Sequence, residues 1–131
     1  MALVSILIVD DHAAVRNSIR SLMKSHSEWK VCGEAADGLE AIEKAAALQP
    51  HLVLMDLSMP RMGGLEATQI IRRQVPTTRV LVISQNDPTL SSRQAIAAGA
   101  CGYISKSNLA TDLIPAIENF ATGARCSDTF E

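Results

Sequence analysis

Three carboxylates, a hydroxyl and a lysine stand at or just past the ends of apolar runs in this 131-residue chain. Asp10 and Asp11 follow Ile6-Leu7-Ile8-Val9, Asp56 follows Leu52-Val53-Leu54-Met55, Ser84 closes Val80-Leu81-Val82-Ile83, and Lys106 comes shortly after Tyr103-Ile104. Runs of this kind read as strands of a parallel sheet covered on both faces. The C-terminal strand ends of such a sheet share one edge, where open α/β folds place their ligands. Carboxylates gathered there repel one another, so the pattern calls for a cation. It points to a Mg²⁺ site with a nucleophilic carboxylate, a hydroxyl and an ammonium around it.

The elements that must position these groups alternate in type. A strand over 4–9 is followed by Val15, Ile19, Leu22 and Met23 at helical spacing, to about residue 25. Asp11 is well placed to cap that helix. Residues 29–35 form a weaker strand whose Gly33 and Glu34 suggest an edge position. Leu39, Ile42, Ala45, Ala46 and Leu48 trace the next helical face. A third strand spans 51–55, and a breaker-rich stretch over 57–64 leads into a helix that Pro76 ends. The fourth strand, 79–83, leads to Asp87-Pro88 as a helix start. That helix runs to about residue 98 with a thin apolar face, and Gly99 stops it. After a short strand at 101–104, a last helix carries Leu109, Leu113, Ile117 and Phe120 and ends at Gly123. Pro115 would kink a helix that began at Leu109, so its N-cap is expected near Thr111. Five βα units with short connections imply right-handed crossovers and helices on both faces. Strand one is the most apolar and is expected to be central, giving the order 2-1-3-4-5.

Bulk properties narrow the function classes. The length suits one domain with a core of its own, and 47% apolar with 3% aromatic residues makes that core aliphatic. A formal net charge of −2 argues against nucleic acid as the main partner of this domain. Arg72-Arg73, the one adjacent basic pair, reads as a solvated helix face. Cys32, Cys101 and Cys126 lack metal-ligand spacing and read as free thiols of a reducing compartment. No apolar run has signal-like flanks or membrane-spanning length, so a cytoplasmic protein without membrane contact is expected.

Together, Asp10-Asp11, Asp56 with Met59-Pro60 and Gly64 behind it, Ser84 and Lys106 resemble the signature of response-regulator receiver domains of two-component signalling, in the CheY-like superfamily. The resemblance spans about residues 4–123. It implies a flavodoxin-like (βα)5 three-layer sandwich, a receiver domain over 1–123, and a polar tail over 124–131 that reads as the start of an interdomain linker. By resemblance, Asp56 is the phosphoacceptor, taking a phosphoryl group from a phosphohistidine on a histidine kinase or phosphotransfer protein. Mg²⁺, for which Mn²⁺ can substitute, would be held by Asp11, Asp56 and the backbone carbonyl of Ser58, with Asp10 holding a metal-bound water. Lys106 and Ser84 would engage phosphoryl oxygens. Ser84 and Tyr103 would act as the switch pair, and Ser58, Gln85 and Asn86 would modulate access and lifetime.

Plainer roles exist for each residue alone. Asp11 could serve only as an N-cap, Ser84 could satisfy loop backbone groups, and Lys106 could be solvated. His12 beside the acidic pair reads as a surface or gating residue, because imidazole suits softer metals. Their joint occurrence at one sheet edge is what the plain roles leave unexplained.

Two departures from the family's habit stand out. Ser107 follows Lys106 where most receivers have a proline after a cis bond. A cis bond here would cost about 2.5–4 kcal/mol, so trans is expected. Gln85 stands where many receivers have a small alanine and could narrow access to Asp56. Lys106-Ser107 with Leu113, Ala116-Ile117 and Gly123 resembles receivers joined to LuxR-type helix-turn-helix outputs. An excised receiver of a transcription regulator is therefore favoured over a stand-alone phosphorelay receiver. A homodimer formed on phosphorylation is a further expectation. A metal-dependent phosphohydrolase of the haloacid-dehalogenase type would carry an Asp where Ser58 stands. A pseudo-receiver interaction module would lack one of the acidic residues or the lysine. No turnover of an external substrate is expected.

Overall fold

The computed structural model describes residues 3–85 and 88–122, with the backbone alone at 88–90. Asn86, Gly123, the tail over 124–131 and its Cys126 lie outside the described residues. Five βα units follow in order: β1 (Val4–Val9), α1 (Ala13–Met23), β2 (Trp29–Ala35), α2 (Gly38–Leu48), β3 (Leu52–Asp56), α3 (Gly64–Gln74), β4 (Arg79–Ser84), α4 (Pro88–Ala98), β5 (Gly102–Ser105) and α5 (Leu109–Ala121). All strands are parallel, in the order β2-β1-β3-β4-β5. This is the flavodoxin-like arrangement expected from the strand pattern.

Strand periodicity of two divides the core between the faces. Ile6, Ile8, Leu52, Leu54, Leu81, Ile83 and Ile104 pack against Ile19 and Met23 of α1 and Leu113 and Ile117 of α5. Leu7, Val9, Val53, Met55, Val80, Val82 and Tyr103 pack against Ala41, Ala45, Ala67, Ile71 and Ala95 of α2, α3 and α4. The small residues on the second face let three helices lie close to the sheet. β3 is buried along its whole length and holds the middle of the sheet, with β1 one place aside. β2 is the edge expected for it. A bulge at Cys32 shifts its register, so Ile6 pairs with Val31 but Leu7 with Gly33.

Several boundaries differ from expectation. β3, β4 and β5 each run one residue further, because the ladder continues: Asp56 lies opposite Ile83 and Ser84 opposite Ser105. Asp56 and Ser84 are therefore the last residues of their strands. The N-cap of α1 is His12 and not Asp11, and it makes no side-chain cap bond. α5 begins at Leu109, after a 3-10 turn over Lys106–Asn108, and not near Thr111. Pro115 is carried inside it at an exposed position, where water can satisfy the carbonyl that loses its N–H partner. On α2 the buried set is Gly38, Ala41 and Ala45, while Leu39 and Leu48 are exposed. Arg72 is not merely solvated: its Nη1 donates to the carbonyls of Pro76 and Thr78, tying down the end of α3. Cys32 is a free thiol, whereas Cys101 is disulfide-bonded, against the expectation of free thiols throughout. The Lys106–Ser107 bond is trans, as expected. Among the described residues, no helix is long and apolar enough to cross a membrane.

Candidate functional site at the carboxyl edge of the sheet

The register that aligns Val9 with Met55 puts the residue after β1 beside the last residue of β3. Asp10 and Asp56 are buried there, and Ser84 joins them from β4. Lys106, leaving β5, reaches back across this edge. Its Nζ lies 2.8 Å from Asp10 Oδ2 and 3.1 Å from Asp56 Oδ1, with 10% of the side chain exposed. One ammonium thus joins two carboxylates from different strands, inside the sheet's rim.

Asp11, next to this group, has an oxygen with no ordinary partner. Its Oδ1 is shielded from solvent and forms no hydrogen bond. It lies 3.1 Å from Nδ1 of His12, whose ring is mostly exposed. The backbone N–H of His12 donates to Asp10 Oδ1 at 2.8 Å. Asp10, Asp11 and His12 each offer a ligand atom within 4.8 Å of the others. Three carboxylates against one lysine leave excess negative charge in a poorly solvated place, which a hard dication would relieve. An orphaned carboxylate oxygen is the kind of group such an ion would engage, so the donor set fits Mg²⁺.

The pKa directions follow from the same geometry. Burial pushes the Asp56 carboxyl up, the charge of Asp10 adds to this, and the hydrogen bond from Lys106 opposes both. Burial alone would lower Lys106, but its hydrogen bonds to Asp10 and Asp56, with their charges, outweigh this and raise it.

The loop after Asp56 is held from both sides. Gly64 N–H donates to Leu57 O, and a Cβ at Gly64 would lie 2.0 Å from the Asp56 carbonyl oxygen, so only glycine fits. On the other side Gly38 N–H donates to Met62 O at 3.0 Å, and a Cβ on Gly38 would meet that oxygen at 2.6 Å. Arg61 adopts a left-handed φ of 65°, a conformation that side chains favour little. Its Nε and Nη2 donate to Asp37 Oδ2 at 2.9 and 2.6 Å. Asp37 meanwhile caps α2, accepting from Glu40 N–H. Ser58 lies in this loop two residues after Asp56, with an exposed side chain.

Of the remaining candidates, Tyr103 is buried against the α4 side and Gln85 is exposed beside Ser84. Asn86 is beyond the described residues. Sequence reasoning passed over Arg16, whose Nη1 donates to the Asp10 carbonyl at 2.5 Å while its Nε bonds Glu34. That link joins α1, β1 and β2, and no local spacing signals it. The Asp37–Arg61 pair was likewise missed, although Asp37-Gly38 was readable as a turn.

A parallel five-stranded sheet in the order β2-β1-β3-β4-β5 thus carries a buried lysine that joins two acidic groups at its carboxyl edge. Residues 6–118 match the response regulator receiver domain family, and the chain belongs to it. The response regulator protein VraR of Staphylococcus aureus is 39% identical over 120 residues, 92% of this chain and 57% of VraR; the chain thus spans little more than half that relative's length. A LuxR-family two-component response regulator from Aurantimonas sp. SI85-9A1 superposes with a TM-score of 0.88 at 36% identity, covering 95% of this chain and 89% of that one. The isolated receiver domain of RcsB from Salmonella enterica serovar Typhimurium, solved in the presence of the phosphomimetic BeF3⁻, gives 0.86 at 26% identity, covering 94% and 91%.

Proposed function

We propose that the chain is a phosphoacceptor switch whose acceptor is Asp56. The observation that carries this is the Lys106 ammonium joining Asp10 and Asp56 at the carboxyl edge. In the reaction, an Asp56 carboxylate oxygen attacks the phosphorus of a phosphohistidine on a histidine kinase or phosphotransfer protein. A P–O bond to Asp56 forms as the P–N bond breaks, and the imidazole leaves with the bonding pair and takes a proton. Mg²⁺, or Mn²⁺ in its place, held by Asp11, Asp56 and the Ser58 carbonyl with Asp10 alongside, would neutralise charge as anion meets anion. Lys106 holds Asp56 in place beforehand and is positioned to exchange that contact for a phosphoryl oxygen. Ser84 donates its hydroxyl to another.

The switch would follow from Ser84 moving toward the phosphoryl group and Tyr103 repacking under α4. The output is control of a DNA-binding transcription regulator, a reading supported by the LuxR-family neighbour. Phosphorylation-dependent homodimerisation, through α4–β5–α5 or through α1 and α5, belongs to the same reading. Turnover is self-phosphorylation and slow self-dephosphorylation, with Ser58, Gln85 and Asn86 setting water access. Against a phosphohydrolase stands Ser58 in the place of an acid/base aspartate.

The test is labelling by acetyl phosphate with and without Mg²⁺. Wild type takes up one phosphoryl group only with the metal, and Asp56→Asn takes up none. Undiminished labelling of that variant removes Asp56 from its role.

A further inference from the structure

His12 is the one residue of the acidic edge for which the phosphotransfer reading has no use. Its ring sits 67% exposed at the start of α1, makes no helix cap, and yet turns toward the carboxylates. Nδ1 is 3.1 Å from Asp11 Oδ1 and 3.4 Å from Asp10 Oδ1. At 3.1 Å a donor N–H aimed at Asp11 would form a hydrogen bond, but Asp11 Oδ1 has none. The two atoms are within ion-pair distance, yet no hydrogen bond joins them. Adjacent ligands of an octahedral ion with bonds of about 2.1 Å are separated by about 3.0 Å. The spacing of these atoms is that of neighbouring ligands on one cation.

The two other histidines are engaged elsewhere. His26 stacks on Trp29 with centroids 4.1 Å apart, and His51 Nδ1 accepts from Ser5 N–H at 2.9 Å. Both sit toward the ends of strands opposite the acidic edge. His12 is thus the only imidazole at the site.

We propose that His12 is a metal ligand through Nδ1, and that it tunes the acidic edge toward first-row transition dications over Mg²⁺. This rests on the reading of Asp10, Asp11 and Asp56 as a cation site. Carboxylates alone suit Mg²⁺, and one imidazole among them raises affinity for ions along the Mn²⁺-to-Zn²⁺ series, which accept nitrogen more readily. The exposed ring leaves room for an ion that keeps part of its water shell. Because His12 makes no cap bond, replacing it removes the ligand without unfolding α1.

The experiment uses Mn²⁺ as probe on the full chain, by continuous-wave EPR for affinity and electron spin echo envelope modulation for nitrogen ligation. Wild type binds Mn²⁺ and shows ¹⁴N modulation of a coordinated imidazole. His12→Ala loses that modulation and binds Mn²⁺ about tenfold more weakly, the scale expected when a metal site loses a supporting group. Its Mg²⁺ affinity, measured by competition, stays within about twofold. Asp11→Asn separates the two claims. If wild type binds no Mn²⁺, or Asp11→Asn binds as tightly as wild type, the cation site itself is wrong and His12 falls with it. If binding depends on Asp11 but wild type lacks imidazole modulation, or His12→Ala retains it, the cation site stands and His12 is no ligand.

Discussion

The two helices that follow β4 and β5 bury very different surfaces. α5 sets Leu113, Ala116 and Ile117 against the sheet, with Leu113 and Ile117 wholly enclosed. Among its described side chains α4 buries Ser91, Ala95 and Ala98, while the one large apolar side chain among them, Ile96, is 44% exposed. Apolar burial stabilises by about 25 cal/mol per Å², so the described side chains hold α5 more firmly than α4. A signalling domain gains from this inequality. On the proposed reading the acidic edge needs a rigid frame, whereas an element that reported its state would have to shift at small free-energy cost. The acidic edge is tied to the α1 and α5 face through Arg16, whereas the Asp37–Arg61 link joins α2 to the loop before α3, whose helices share the other face with α4 and Tyr103.

The sharpest way to break this contrast is truncation in each helix. Leu113→Ala should destabilise by about 2–5 kcal/mol in urea unfolding. Ile96→Ala should stay within about 0.5 kcal/mol, and comparable losses would end the argument from packing. Next in size is amide exchange: α4 should exchange well before α5, and beryllofluoride with Mg²⁺ should change protection chiefly in α4 and β5. A change confined to α1 and α5 would move the output surface elsewhere.

A smaller effect probes, through pH, the link between α2 and the loop before α3. The Glu40 N–H and then Arg61 hold the Asp37 carboxyl below its usual range. A group depressed in the folded state contributes stability above its unfolded pKa, near about 3.9, and that contribution is lost as pH falls through the lower folded value. Wild type should therefore lose stability below about pH 4 more steeply than Asp37→Asn, which keeps a capping side chain but no charge. Parallel curves would show that the pair contributes nothing. Smallest of all, Gln85→Ala should modestly speed labelling by acetyl phosphate, and equal rates would acquit Gln85 of narrowing the entrance.

Much of the site was legible because its residues occupy positions that local pattern marks. Apolar runs identify buried strands, and polar residues closing four such runs announce a shared edge. Helix ends were read less well. Pro115 argued locally for a later start to α5, but Leu113 and Ile117 on the sheet outweigh one missing hydrogen bond. Asp11 looked like a cap, yet the turn into α1 gives that position to His12. Leu39 and Leu48 matched a helical period, but close approach of α2 to the sheet favours the alanines between them.

Chain order and side-chain type alone determined that carboxylates, a hydroxyl and a lysine would meet at the carboxyl edge of a parallel sheet. Strand alternation and right-handed crossovers allow little else. Only the tertiary structure decided which of those groups touch. Lys106 could face Asp10 and Asp56, Arg16 could seize the Asp10 carbonyl, and Asp11 could be left with an unanswered oxygen, only after register and helix docking set distances of a few ångströms. Contacts at that range depend on packing between segments tens of residues apart, which no local spacing encodes.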